Sequence, residues 1–242
     1  FYKGQWAASS PATTGPMTAV GYYFGKKLRE GLGIPVGIIH SSLGGSEIAA
    51  WIPRQVINAN NSFRTLRGNH WLDSPLISDC VRGRARKNIS PRLNQGSPDH
   101  PYKPSFLYES GIAWTTALPI TGVIWYQGES NRDHPDSYGI LLKTIVESWR
   151  KSFKKDFPFY LLQIAPHTYN SGDNGAALVR EHQEWEARTV PGAGMVAVSE
   201  CVADVKNIHP TDKQSVGQRL ANMALGKIYG RLDSGYESPL FE

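Results

Sequence analysis

Apolar side chains recur three and four positions apart in several segments of the chain, a spacing that predicts amphipathic helices. In residues 18–32 the apolar positions include Val20, Tyr23, Phe24 and Leu28, which share one helix face. The same spacing predicts three further helices, over residues 135–153, 176–187 and 212–229.

Short runs rich in β-branched and aromatic residues lie between these helices and predict buried strands. The runs cover residues 34–39, 121–126, 158–164 and 194–198. Strands that alternate with helices along the chain predict a parallel sheet covered on both faces, because each crossover helix packs back onto the sheet. The expected fold is therefore α/β, and because no convincing linker interrupts the chain, residues 1–242 are expected to form a single domain.

The stretch from about residue 58 to residue 110 breaks this alternation. It is polar, contains Pro and Gly, and shows little periodicity. So long a segment without its own secondary structure is uncommon in a compact domain. We therefore expect an irregular excursion, either one that builds the substrate cleft or a mobile flap.

Composition narrows the class of protein. Of 242 residues, 40% are hydrophobic and 11% are aromatic, which is enough for a folded core and argues against disorder. No apolar run approaches the length of a membrane-spanning helix. The net charge is +5. The basic run 82–87 could meet an anionic sugar or a nucleic acid, but we interpret it as a solvated loop, and the absence of interleaved aromatic residues argues against nucleic acid. The only cysteines are Cys80 and Cys201, and their spacing does not decide whether they form a disulfide.

Three polar turns follow predicted strands, and each contains residues suited to chemistry. Ligands of open parallel sheets bind beyond the carboxyl ends of the strands, so these turns are expected on one rim. The first turn, from His40 to Trp51, contains Gly44 and Gly45. Paired glycines let backbone N–H groups approach a ligand and stabilise an oxyanion, although a tight strand-to-helix turn needs the same residues.

The second turn follows the strand predicted at 121–126 and reads Gln127-Gly-Glu-Ser-Asn131. Amide, carboxylate and hydroxyl groups are denser here than an ordinary loop requires. The Gln127 amide can donate to a developing negative oxygen, while Ser130 and Asn131 are also suited to capping a helix. We interpret the loop as functional, with capping as a second role.

The third turn, from Asn207 to Gln214, precedes the last predicted helix. Thr211 or Asp212 can cap that helix. His209 lies in the entering loop beside Pro210, where a side chain can face a cleft, and we interpret it as a general base rather than a structural histidine. The sequence contains no G-x-S-x-G motif, so it offers no evident serine nucleophile.

Taken together, these turns resemble those of the sialate O-acetylesterase family, a carbohydrate-esterase branch of the SGNH hydrolases. The resemblance covers nearly the whole chain apart from residues 58–110. Its most specific part is the segment Trp125-Tyr-Gln-Gly-Glu-Ser-Asn131. The other segments that carry it are residues 33–46 with Trp51, 158–166, 180–183 and 208–214.

This resemblance implies hydrolysis of an acetyl ester on a sugar by a serine and a histidine. It implies His209 as the base, Gln127 as the oxyanion amide and the Gly44–Gly45 turn as the backbone donor. It also implies substrate contacts from Trp51 and Arg180, no metal or organic cofactor, and a secreted or periplasmic location. The implied substrate is an O-acetylated sugar, with sialic acid as the family's choice.

Two features depart from the family's pattern. The family's nucleophilic serine lies in a G-Q-S-N motif, whereas this chain has only Gly4-Gln5 followed by Trp6. We therefore expect the serine and the first strand to lie upstream of Phe1. Many SGNH enzymes place Asp three residues before the base, a position occupied here by Lys206. The nearby acids are Asp204 and Glu200, with Glu129 and Asn131 as further supporting residues.

The expected fold is a flavodoxin-like, three-layer α/β/α hydrolase domain without its first strand. A Ser–His dyad, with the histidine oriented by a backbone carbonyl, is an alternative to an acid partner. Three functions stay open: an esterase for acetylated sialic acid, an acetyl xylan esterase with the same chemistry, and a non-catalytic sugar-binding homologue that lacks the nucleophile.

Overall fold

The computed structural model describes residues 4–89, 99–169 and 172–238 and is a mixed α/β structure. Within these ranges a small parallel sheet of three strands forms the centre. The strands lie side by side in chain order, and each crossover between neighbours contains a helix, as parallel pairing requires. The strands are β1 (Val123–Trp125), β2 (Phe159–Leu162) and β3 (Ala193–Val196), which confirms three of the four predicted strands.

The four helices predicted from apolar spacing are confirmed, with their ends shifted by a few residues. In chain order the helices are α1 (Pro11–Thr14), α2 (Ala19–Leu32), α3 (Arg54–Ala59), α4 (Asp79–Ile89), α5 (Phe106–Ser110), α6 (Tyr138–Phe153), α7 (Gly175–Thr189) and α8 (Lys213–Lys227). Short 3-10 helices cover Ile48–Trp51, Asn61–Leu66, Trp71–Asp73, Ile112–Thr115, Glu129–Asn131, Pro135–Ser137 and Ser199–Cys201.

The strands contribute side chains to two apolar clusters, because successive side chains of a strand point to opposite faces of the sheet. Phe159 and Leu161 belong to the cluster that includes the buried faces of α6 and α7. Tyr160 and Leu162 belong to the cluster formed with α2 and α8. Helices α2 and α8 approach closely at Gly217, where a methyl group would lie 2.7 Å from the Val20 carbonyl oxygen. Both faces of the sheet are therefore packed against helices.

The strand predicted at residues 34–39 is wrong. This segment has no regular secondary structure, and Ile34 and Ile39 are exposed. A cleft separates it from the outer edge of β1, so no neighbouring strand lies beside it to accept the ladder hydrogen bonds. Ile38 and Ile39 line this cleft, whereas Val36 packs against the cluster formed with α2 and α8.

The region 58–110 also differs from the expected irregular excursion in its described part; residues 90–98 lie outside the described residues. It contains α4, α5 and 3-10 helices, and it buries several side chains in the larger apolar cluster. The basic run 82–87 lies on α4 rather than in a loop. Val81 and Ala85, four residues apart, are buried and fix that helix face, whereas the run of charges around them hides the pattern in the sequence.

Other expectations concern cysteines, membranes and metals. Cys80 is exposed, Cys201 is buried, and both are free thiols. None of the helices in the described part of the chain has both the length and the apolar character needed to cross a membrane. Across residues 4–89, 99–169 and 172–238, no group of three or more His, Cys, Asp or Glu side chains is arranged to hold a metal ion. That the chain is a single domain stays a prediction.

Candidate active site

A cleft of about 290 Å³ lies between the outer edge of β1 and residues 38–43. The end of β1 and the loop after it form one wall, through Trp125, Tyr126 and Gln127. Residues 38–43 form the opposite wall, and Ser46 also lines the cleft. Two of the three polar turns therefore meet at one cleft, although only the second directly follows a strand of the described structure.

The first turn is closed by its own hydrogen bonds. The Ser46 N–H and hydroxyl both donate to the Leu43 carbonyl oxygen, at 3.3 and 2.8 Å. Gly45 has a φ of 77°, in the left-handed region that favours glycine. The N–H groups of Gly44 and Gly45 donate to no other residue in the described part of the chain. These two donors are therefore available to an oxygen atom of a ligand.

The Gln127 side chain bonds the second turn to the first. Its Nε2 donates to the Ser46 carbonyl oxygen at 3.2 Å and to Asn131 Oδ1 at 2.7 Å, which uses both amide hydrogens. Asn131 is 2% exposed, and its Oδ1 also accepts from the Ile48 N–H at 3.1 Å. Gln127 Oε1 is buried and has no hydrogen-bond partner among the described residues. The two turns consequently form one bonded unit.

Two buried side chains hold the backbone of this loop, and sequence analysis assigned neither a role. Gln183, which is fully buried on α7, donates to the Gln127 carbonyl oxygen at 3.0 Å and accepts from the Ile164 N–H at 2.9 Å. The hydroxyl of Tyr138 donates to the same Gln127 carbonyl at 2.9 Å. The sequence does contain a signal for Gln183: it lies four residues after Val179 on an apolar helix face. A buried amide needs hydrogen-bond partners, so a glutamine at such a position indicates a structural hydrogen bond.

The third turn reaches the second turn through Glu129. Burial raises the pKa of Glu129, and the positive charges of His209 and Lys213 act in the opposite direction. His209 is exposed, and its N–H donates to Asn207 Oδ1 at 2.9 Å. The ammonium group of Lys213 lies 5.5 Å from the centre of the Tyr126 ring, at the cleft wall. The charge of His209 therefore acts on Glu129, although no hydrogen bond or ion pair joins the two side chains among the described residues.

The other two acids that the sequence suggested, Glu200 and Asp204, have partners other than His209. Glu200 forms an ion pair with Arg219, whose charge lowers the pKa of that carboxyl after the larger effect of a backbone hydrogen bond. Asp204 accepts from the Lys206 N–H at 2.8 Å. Within the described residues, neither carboxylate forms a hydrogen bond or ion pair with His209.

Trp51 and Arg180 were expected to contact substrate, and they lie in different surroundings. Trp51 lines the cleft but is only 3% exposed, and its indole N–H donates to Ser46 Oγ at 3.0 Å. Arg180 is partly buried, which lowers its pKa, and donates to Ser199 Oγ at 3.0 Å. It is absent from the lining of the cleft. The structure therefore brings Trp51, but not Arg180, to the cleft with Gln127.

Glu47 is a buried acid behind the first turn that sequence analysis did not single out. It is 1% exposed, and its Oε1 accepts from the Ser78 N–H at 2.7 Å, which ties the turn to the residue before α4. Its Oε2 has no hydrogen-bond partner among the described residues. Burial raises the pKa of Glu47 to about 7. A glutamate next to an apolar run is the only signal in the sequence that points to this burial.

A family model and two mammalian proteins match the sequence of this chain. The family model described as "Carbohydrate esterase, sialic acid-specific acetylesterase" matches residues 94–226. The mouse sialate O-acetylesterase is 30% identical over 246 residues, and the human sialate O-acetylesterase is 32% identical over 244 residues. Each of these matches includes 93% of this chain.

A solved structure is similar over the whole chain. It is the crystal structure of a carbohydrate acetylesterase from Xanthomonas citri, with a TM-score of 0.72, 28% sequence identity and coverage of 100% of this chain. The chain spans 45% of the mouse protein, 42% of the human protein and 48% of the Xanthomonas chain, which is less than half in each case.

Proposed function

Because this chain belongs to the sialic acid-specific acetylesterase family of carbohydrate esterases, we propose that the protein containing it hydrolyses acetyl esters on sugars. In the proposed reaction a serine oxygen attacks the acetyl carbonyl carbon while a histidine accepts the serine proton. The histidine then returns this proton to the sugar oxygen as the ester bond breaks. Water attacks the acetyl-serine in the second half of the reaction, which releases acetate and restores the serine.

The single observation that carries the proposal is that the glycine turn and the Gln127 loop are bonded to each other at the cleft. We assign His209 as the general base, because an imidazole can accept and return a proton near neutral pH. We assign Glu129 as its positioning partner, because a carboxylate near the ring stabilises the imidazolium that forms during the reaction. Glu200 is a weaker choice since its carboxylate is already paired with Arg219.

The proposed oxyanion donors are the N–H groups of Gly44 and Gly45 and the amide of Gln127. The two backbone donors are supported by their lack of partners in the described residues. The Gln127 amide uses both hydrogens internally, and its bond to the Ser46 carbonyl oxygen is the longer of the two, at 3.2 Å against 2.7 Å. We propose that Gln127 exchanges this longer bond for the oxyanion.

The proposed nucleophile is a serine supplied by protein outside these 242 residues, on a further strand that pairs with the outer edge of β1. That strand would enter the cleft between β1 and residues 38–43, whose apolar lining includes Ile38, Ile39 and Ile124. The sheet so extended would correspond to the three-layer α/β/α arrangement of SGNH hydrolases. The cleft also contains Ser42, which bonds to His40 Nε2 at 2.7 Å, and the test below distinguishes it from an external serine.

The proposed substrate is an O-acetylated sialic acid, and the proposed location is outside the cytoplasm. The substrate is supported by the family description and by the names of the mammalian relatives, and the location is inferred from this substrate class. The alternative is an acetylated neutral polysaccharide such as xylan, for which the same groups would perform the same chemistry. Acetate release from acetylated sialic acid and from acetylated xylan separates these two substrates.

The mechanism is tested on the full-length protein that contains this chain, with p-nitrophenyl acetate and O-acetylated sialic acid as substrates. We expect His209→Ala to lower kcat/KM by roughly 10²- to 10⁴-fold, because it removes the proton acceptor. We expect Gln127→Ala to lower kcat by roughly 10²-fold or more. An unchanged rate in His209→Ala would exclude the proposed base.

The positioning role of Glu129 needs a measurement that a purely structural role would not affect. We expect Glu129→Gln to lower kcat and to move the acidic limb of the pH–rate profile to lower pH, because the imidazolium loses its carboxylate partner. Glu129→Asp should restore part of both effects. A larger loss in Glu200→Gln than in Glu129→Gln would assign the acid to Glu200, and loss of activity in Ser42→Ala would place the nucleophile within this chain.

A further inference from the structure

Arg84 on α4 reaches the glycine turn at the edge of the cleft. A methyl group at Gly45 would lie 2.6 Å from Nη1 of Arg84, so the guanidinium is in direct contact with the turn. The Arg84 side chain is exposed, and it forms no hydrogen bond or ion pair within the described residues. Its charge is therefore not neutralised by an internal acid at the point where it meets the turn.

The other two arginines of α4 have partners. Arg82 pairs with Asp79 at 3.0 Å and donates to two backbone carbonyl groups before the helix. Arg86 pairs with Asp73 at 3.4 Å. Arg84 thus differs from Arg82 and Arg86 in its position against the turn and in having no acidic partner among the described residues.

The region 58–110 positions the backbone of Arg84 beside the glycine turn. Helix α4 is anchored by the buried side chains of Val81 and Ala85. From the same region, the Tyr102 hydroxyl donates to the Gly44 carbonyl oxygen at 3.0 Å and would lie 2.8 Å from a methyl group at Gly45. Arg84 and Tyr102 therefore border the turn on the side toward which a Gly45 side chain would point.

We infer that Arg84 is the residue that binds the carboxylate of an acidic acetylated sugar and so sets the preference for that sugar over a neutral one. The inference rests on the proposed function, because it takes the ester to be held at the N–H groups of Gly44 and Gly45. A guanidinium presents parallel N–H donors that match the two oxygens of a carboxylate. Because the Arg84 donors have no partner among the described residues, a bound carboxylate displaces only water from them.

The test compares an acidic and a neutral acetylated sugar on the full-length protein. The substrates are O-acetylated N-acetylneuraminic acid and acetylated xylo-oligosaccharide, and the variants are Arg84→Gln and Arg84→Lys. We expect Arg84→Gln to lower the ratio of kcat/KM for the acidic over the neutral sugar by about 10- to 100-fold, chiefly through KM. Arg84→Lys should lose less, because it keeps the charge without the paired donors.

Arg86→Gln is the matched control, since it removes a charge from the same helix but its guanidinium faces Asp73. We expect it to leave the ratio within a factor of about 2 of the wild type. An equal fall in Arg84→Gln and Arg86→Gln would reduce the effect to general charge attraction and overturn the inference, as would an unchanged ratio in Arg84→Gln. If the wild-type protein releases acetate from neither sugar, nor from p-nitrophenyl acetate, the proposed function itself fails.

Discussion

The two walls of the cleft are built in different ways. The loop wall, residues 125–131, is fixed by buried hydrogen bonds: Asn131 accepts two of them, and the Gln127 carbonyl accepts two more from α6 and α7. The open wall, residues 38–43, has no regular secondary structure, and its Ile39 is 41% exposed. The His40–Ser42 hydrogen bond on this wall joins two exposed side chains.

The difference identifies which half of the cleft this chain fixes by its own interactions. A buried polar group must keep its partner, because losing that partner costs the full desolvation of the group. Exposed groups exchange their partners for water at little cost. The loop wall is therefore held in one arrangement, whereas the open wall gains little free energy from the contacts it makes. Single substitutions in one wall, or in the turn between the walls, therefore test this difference.

The largest effect is expected for Asn131→Leu on the loop wall. This change keeps the branched shape of the side chain but leaves the Ile48 N–H and one N–H of the Gln127 amide without their acceptor. Each unsatisfied buried donor costs about 1–3 kcal/mol, so we expect the free energy of unfolding to fall by about 2–5 kcal/mol. Urea unfolding followed by tryptophan fluorescence measures the loss.

Ser42→Ala is the matched change on the open wall. It removes one exposed hydrogen bond, so we expect the free energy of unfolding to change by less than about 0.5 kcal/mol. If the two variants were equally destabilised, the proposed contrast between a fixed and a weakly held wall would be wrong.

The sequence predicted most of the fold because its long elements are periodic. The helices α2, α6, α7 and α8 each present an apolar stripe, and three apolar runs became β1, β2 and β3. Residues 34–39 show the limit of this reasoning. Their composition is that of a buried strand, yet a strand also needs a neighbour, and composition does not report whether that neighbour is present. The region 58–110 shows another limit, because apart from α4 its helices are at most six residues long and too short to show an apolar repeat.

The sequence predicted the components of the candidate site better than their connections. Gly45, Gln127 and His209 stand out because each belongs to a turn of unusual composition after a predicted strand, although residues 34–39, before Gly45, form no strand. The burial of Glu47 and the amide bonds of Gln183 depend on contacts between residues far apart in the chain. No local pattern encodes such contacts, so they became visible only in three dimensions.

An intermediate effect is expected for Glu47→Gln in the turn that joins the two walls. The pKa of Glu47 is raised by burial from 4.5 to about 7, so the folded state holds this proton more tightly than the unfolded state does. The wild type therefore loses stability as the pH rises from 4.5 through 7, by about 3 kcal/mol, once the carboxyl ionises without solvation. Glutamine does not ionise, and it still accepts from the Ser78 N–H.

Stability curves against pH for the two proteins isolate this contribution, because every other titrating group is shared. We expect Glu47→Gln to gain about 3 kcal/mol relative to the wild type between about pH 4.5 and pH 8. Parallel curves would mean that the carboxyl of Glu47 is solvated in the folded protein, and that the turn is as open as residues 38–43.

A smaller effect than in Asn131→Leu or Glu47→Gln is expected for Gly45→Ala in the same turn. With a φ of 77°, an alanine at this position costs about 1–2 kcal/mol of backbone strain, and its methyl group displaces the flexible end of Arg84. Gly44→Ala is the control, because no atom lies within 4 Å of its methyl position and its φ is not positive. Chemical unfolding should therefore separate the two neighbours by about 1 kcal/mol or more. Equal stabilities would show that the turn relaxes as freely as the open wall, and that only the loop wall is fixed.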